Sequence, residues 1–143
     1  MNIKYIMMYP IITTAVIAGS TGVIVVAQNQ GTLMISAVMF SENPIAIGEE
    51  QVITVTVIDA RTNEMISEAT VSITVNGPGI EYTHTDTTNE SGLISYTIPL
   101  EEEESSPGDY YTSIQTRKEG YTPISENTHF VVLPSYTIII LLL

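Results

Sequence analysis

Histidine, cysteine, serine and the carboxylates carry most protein chemistry, and their spacing in this chain argues against a catalytic site. His84 and His129 are the only histidines, and cysteine is absent. Zinc takes about four ligands, drawn mostly from Cys and His, so no zinc site is expected. Both histidines fall in expected strands, on separate sheets if the strands alternate between layers, and read as strand-surface side chains. Serines are numerous, yet there is no Gly-x-Ser-x-Gly elbow and no Gly-rich loop ending in a phosphate-binding lysine. Glu49 and Glu50 are neighbours at a strand start. They therefore point to opposite faces and cannot share a substrate.

Two oxygen-rich turns remain. Glu101 to Glu104 is the densest run of charge. Calcium needs about six to eight oxygens arranged by a turning loop, and four consecutive glutamates supply charge without that geometry. Asp86, Asn89 and Glu90 form the second turn, and both read as solvated loops. Asn89-Glu90-Ser91 is the single Asn-x-Ser/Thr triplet without proline at its centre. That makes Asn89 the candidate glycosylation acceptor. No catalytic residue, cofactor or metal ligand is expected, and the chain reads as a non-enzyme.

Charge narrows the partners. Sixteen acids face four bases, a formal net charge of −12. Nucleic acid is excluded as a partner, because phosphate contacts need clustered Lys and Arg. Direct docking on anionic lipid heads is excluded for the same reason. Without cysteine, stability must come from packing and backbone pairing rather than from disulfides.

The elements that would position these residues follow from the texture of the chain. Lys4 precedes an uncharged stretch over residues 5–27. A basic start followed by an apolar run is an export pattern, and the run reaches the ~20 residues that span a bilayer as a helix. Residues 1–27 are thus expected to be an N-terminal hydrophobic helix, either a signal peptide removed after Ala27 or a retained signal anchor. From residue 31 to 134, short alternating runs are separated by turn residues. β-branched side chains alternating with polar ones predict strands with one face in a core. The spacing predicts seven, over 32–40, 50–58, 69–76, 80–86, 93–98, 109–117 and 127–133, in one domain. Val55, Val57, Val71, Ile73, Ile94, Tyr96, Ile114, Phe130 and Val132 share the parity of a common core.

The order of short motifs carries a resemblance. Gly48-Glu49-Glu50 leads into a strand, Asp59 follows it, and Ala69-Thr70-Val71 opens the next. Thr85 to Gly92 precedes Leu93-Ile94-Ser95-Tyr96, Pro107-Gly108-Asp109-Tyr110 opens another strand, and Gly120-Tyr121 comes after it. Over about residues 42–133 this resembles the immunoglobulin-like domains of invasin- and intimin-type surface proteins and the related macroglobulin-like domains. The resemblance implies an all-β, seven-stranded immunoglobulin-like sandwich with a structural or adhesive role at a cell surface and no catalytic residue. Such modules often stand in tandem, whereas this chain carries one. In such a sandwich Tyr110 is a candidate tyrosine corner, its hydroxyl bonded to backbone a few residues upstream.

The tail, residues 135–143, ends in six aliphatic side chains, Ile138 to Leu143. Its place after Phe130-Val131-Val132-Leu133-Pro134 resembles the start of the C-terminal anchors of archaeal surface proteins. Here Ser135 and Tyr136 stand at the acidic and phenylalanine positions, and the basic end is missing. An anchor remnant and an eighth, edge-closing strand are both expected readings. The partners expected are the membrane, through the N-terminal segment, and an unidentified protein or surface-layer component. An assembly subunit that takes a partner through a sheet edge or the tail is the alternative.

Overall fold

The computed structural model describes the backbone of residues 11–19 and 22–135 and the side chains from residue 30 to 135. Ile11–Gly19 and Gly22–Asn29 are two antiparallel strands that form a small sheet of their own. The expected leader helix of residues 1–27 and the apolar run Ile138–Leu143 lie outside residues 30–135, the stretch with both backbone and side chains described. Within it the chain is all β, with no helix. The nine strands are β1 (Gly31–Phe40), β2 (Ile45–Ala46), β3 (Glu50–Asp59), β4 (Thr70–Gly77), β5 (Ile80–Thr87), β6 (Leu93–Pro99), β7 (Gly108–Arg117), β8 (Tyr121–Thr122) and β9 (Ile124–Leu133). The count of seven expected from sequence is therefore corrected to nine. The two extra strands have two residues each, too few for a period of two to show. The seven long strands lie where alternation put them, except that β9 starts at Ile124 rather than at 127.

These nine strands form two sheets. One has the order β8-β1-β3-β6 and the other β2-β9-β7-β4-β5. Leu33, Ile53, Val55 and Ile98 of the first sheet meet Val71, Ile73, Ile114, Phe130 and Val132 of the second in one buried cluster. Eight of the nine side chains expected in the core are buried there, and Tyr96 packs half-buried at its margin. Tyr110 and Phe130 are the largest fully buried side chains, with ring centroids 5.3 Å apart, and Phe40 covers Phe130 at 5.2 Å.

β1 explains why its own alternation is hard to read. Leu33 and Ile35 point inward, then the pairing with β3 shifts register between Ile35 and Ala37. That bulge flips the parity, so Val38 and Phe40 become the core-facing residues. The bulge adds one residue and re-aims the second half of the strand.

The two short strands fix where the chain enters and leaves. β8 runs parallel to the start of β1, Tyr121 beside Gly31 and Thr122 beside Thr32. β9 begins there and runs in the same sense as β1, until Val132 and Leu133 pair with Ile45 and Ala46 of β2. The chain thus enters the sandwich at one end, beside Tyr121, and leaves it at the other, beside Ile45.

Candidate functional site

At the exit end, a polar cluster is organised by tyrosines. Proline and glycine turn the chain into β7, which sets Tyr110 on the inward face beneath its own loop. The Tyr110 hydroxyl donates to the Ser106 carbonyl at 2.8 Å and accepts from the Ser106 N–H at 3.3 Å. The expected tyrosine corner is therefore formed, with its partner four residues upstream. Beside it, the Tyr82 hydroxyl lies 2.9 Å from the Ser105 hydroxyl and 3.2 Å from the Pro99 carbonyl. The Glu101 carbonyl accepts the N–H groups of Glu104 and Ser105, which folds the acidic run into one tight turn. All four glutamate side chains are exposed, so the turn holds them in water as expected.

At the entry end, one buried threonine ties two loops together. The Thr88 hydroxyl donates to the Ile66 carbonyl at 2.6 Å and accepts from the Ala69 N–H at 3.0 Å. Lys118 reaches the Ser67 carbonyl in the same loop. Asp59 is buried at the end of β3, where its carboxylate accepts the Arg61 N–H at 2.8 Å. Its ion pair with the Arg61 guanidinium is long, 3.8 Å, and Arg61 is largely exposed. The contact to the turn is thus the stronger of the two. Sequence reading missed Thr88 and took Asp59 only as a motif position, not as a buried anchor of its turn. Nothing in a threonine-rich chain marks which hydroxyl is buried, although Asp59 stands where an Asx turn begins.

The residues singled out for chemistry stay apart. His84 lies on the edge strand β5 and His129 on β9, so they share a sheet rather than occupying two, separated by β4 and β7. His84 faces inward and stacks on Tyr96, with centroids 4.5 Å apart and planes 6° from parallel. That stack joins the edge strands β5 and β6 of the two sheets. Burial there, with the Tyr82 phenol adding to it, pushes the Tyr96 phenol above its usual pKa. His129 faces outward beside Tyr111, at 6.1 Å. Among the described residues, no three His, Asp or Glu side chains converge to hold a metal ion. A surface depression of about 340 Å3, lined by Gln115, Thr116, Arg117, Pro123, Ile124 and Ser125, contains no carboxylate or histidine.

The middle of the outer face of the five-stranded sheet is a grid of uncharged polar side chains, flanked on that face by Glu81 beside Asn76 and Arg117 beside Thr70. Thr83, Thr74, Ser113 and Asn127 lie side by side across β5, β4, β7 and β9. Thr85, Ser72, Gln115 and Ser125 form the next row. The hydroxyls of Thr74 and Thr83 are 3.4 Å apart, and Thr85 donates to Ser72 at 3.0 Å. Tyr111, 62% exposed, stands at the edge of this grid. The grid bears hydrogen-bonding groups but neither a nucleophile–base pair nor charge.

Asn89 occupies the turn between β5 and β6. Its side-chain oxygen accepts the N–H of Ser91 at 2.9 Å and of Leu93 at 3.0 Å. Asn89, Glu90 and Ser91 are all exposed. Gly92 follows with φ +68°, a conformation that glycine takes without strain.

No family model matches the sequence, and no curated protein does. Among solved structures, the chain is similar to an alkylpurine DNA glycosylase of Pseudomonas fluorescens bound to DNA with an abasic-site analogue. That likeness has a TM-score of 0.47 and 10% identity, over 71% of this chain and 30% of that one. It is also similar to a β-glucosidase of Listeria innocua in complex with glucose, with a TM-score of 0.44 and 10% identity, over 80% of this chain and 17% of that one. The chain thus spans less than a third of either protein.

Proposed function

We propose that the protein is a non-catalytic, immunoglobulin-like surface module of the invasin and intimin kind, exported or anchored by its N-terminal segment, with a structural or adhesive role. The observation that carries this reading is the passage of the chain from one end of the sandwich to the other, in at Gly31 and out at Leu133. A module built that way extends whatever it is joined to, as a spacer must. The three long strands β1, β3 and β6 facing the four long strands β9, β7, β4 and β5, together with the tyrosine corner, agree with an immunoglobulin-like arrangement. The acidic, solvated loops suit an exposed, soluble surface.

One observation favours the alternative of an assembly subunit. β8 covers only Gly31 and Thr32 of β1, which leaves Leu33 to Phe40 without a strand partner on that side among the described residues. An open edge is a template for a partner strand. Intact cells of the native host decide the main reading. Antibodies against residues 31–134 should label them, and protease added outside should erase the signal. Labelling only after permeabilisation would overturn it. Concentration-dependent polymers of the purified chain, seen by electron microscopy, would move the assignment to the assembly subunit.

A further inference from the structure

We infer that Asn89 is an N-glycan attachment site whose turn is built to carry the sugar without losing its own hydrogen bonds. Two backbone N–H groups, those of Ser91 and Leu93, converge on one atom of the Asn89 carboxamide. Only an oxygen can accept both, so the orientation of the amide is fixed. The nitrogen, Nδ2, takes part in neither bond, and the residue is exposed. The Ser91 hydroxyl required by the triplet sits two residues on, also exposed. The Asn89 N–H and carbonyl are themselves engaged, the first with the Leu93 carbonyl and the second with the Gly92 N–H, both at 2.9 Å. The acceptor is thus held in a closed, exposed turn.

The chemistry leaves that turn intact. Nδ2 attacks C1 of a sugar linked to a polyprenyl diphosphate, forms the N–C1 bond and gives up one proton. The polyprenyl diphosphate departs with the electron pair of the broken C1–O bond. Asn89 becomes a secondary amide with its carbonyl oxygen in place, still able to accept from Ser91 and Leu93. The turn lies at the entry end of the sandwich, between two edge strands.

The inference rests on export, since such transferases act on exported chains, and its test is separable from that reading. Intact and peptide masses of the full chain made in its own host should show a glycan on the peptide that contains Asn89. Ser91→Ala should abolish that mass while leaving the melting temperature unchanged, because Ser91 serves the turn only through its backbone N–H. Ser91→Thr should retain the glycan. A surface-labelled chain with an unmodified Asn89 peptide would overturn the inference and leave the surface assignment standing. A glycan that persists in Ser91→Ala would equally overturn it.

Discussion

Tyr110 and Thr112 stand two residues apart on the same inward face of β7, and their hydroxyls have opposite fates. The Tyr110 hydroxyl closes a two-way bond with the Ser106 backbone. The Thr112 hydroxyl is buried and has no partner. Deleting a satisfied hydroxyl loses a bond, whereas deleting an unsatisfied buried one removes a desolvation cost. Tyr110→Phe should therefore destabilise the sandwich by about 1–2 kcal/mol. Thr112→Val should be neutral or stabilise it by up to ~1 kcal/mol. Chemical denaturation of both variants checks the pair, and equal losses would show that the Thr112 hydroxyl has a partner after all. Tyr110 was legible in the sequence because Pro107-Gly108-Asp109 marks a turn just before it. Thr88 and Thr112 were not, since alternation gives a threonine's face but not the bond its hydroxyl makes.

The long strands were legible for a simple reason. β4 and β7 alternate cleanly between core and outer face, as does β3 as far as Val57, and each is bounded by glycine, proline or a polar turn. Where the backbone departs from a period of two, reading from sequence stops: the bulge in β1 inverts its parity, and β2 and β8 are held by neighbours rather than by their own pattern. The hairpin between β4 and β5 shows how a turn and a core residue become coupled. Gly77 pairs with Ile80 across it, and the Tyr110 ring lies directly over Gly77. A Cβ built on Gly77 would come within 2.2 Å of that ring. The ring is fully buried and pinned by its hydroxyl, so it cannot swing aside cheaply. Gly77→Ala should cost more than the ~1 kcal/mol range of ordinary β-propensity differences. Overpacking of this kind costs typically about 1–3 kcal/mol, which lowers the melting temperature of a domain this size by roughly 4–8 °C per kcal/mol. Calorimetry on the variant checks it, and an unchanged melting temperature would mean that Tyr110 is looser than the packing implies.

At the scale of the molecule, a net charge of −12 and a sandwich entered at one end and left at the other are the features a spacer needs. The charge keeps modules apart in solution, and the geometry decides whether the chain is lengthened or merely decorated. β8 lies beside Gly31, and β9 starts two residues after it and runs its full ten residues to Leu133. At about 3.3 Å per residue such a strand covers roughly 30 Å, and this sets the separation of the two ends. The absence of cysteine makes the distance measurable without background labelling. Gln30→Cys and Ser135→Cys, introduced together and spin-labelled, flank the sandwich immediately outside β1 and β9. Pulsed electron resonance should give a single main distance near ~30 Å, broadened by the label linkers. A main distance below about half that would place both ends on one side. The module would then hang from its chain as a side domain instead of extending it, and the spacer reading would fall even if the fold stood.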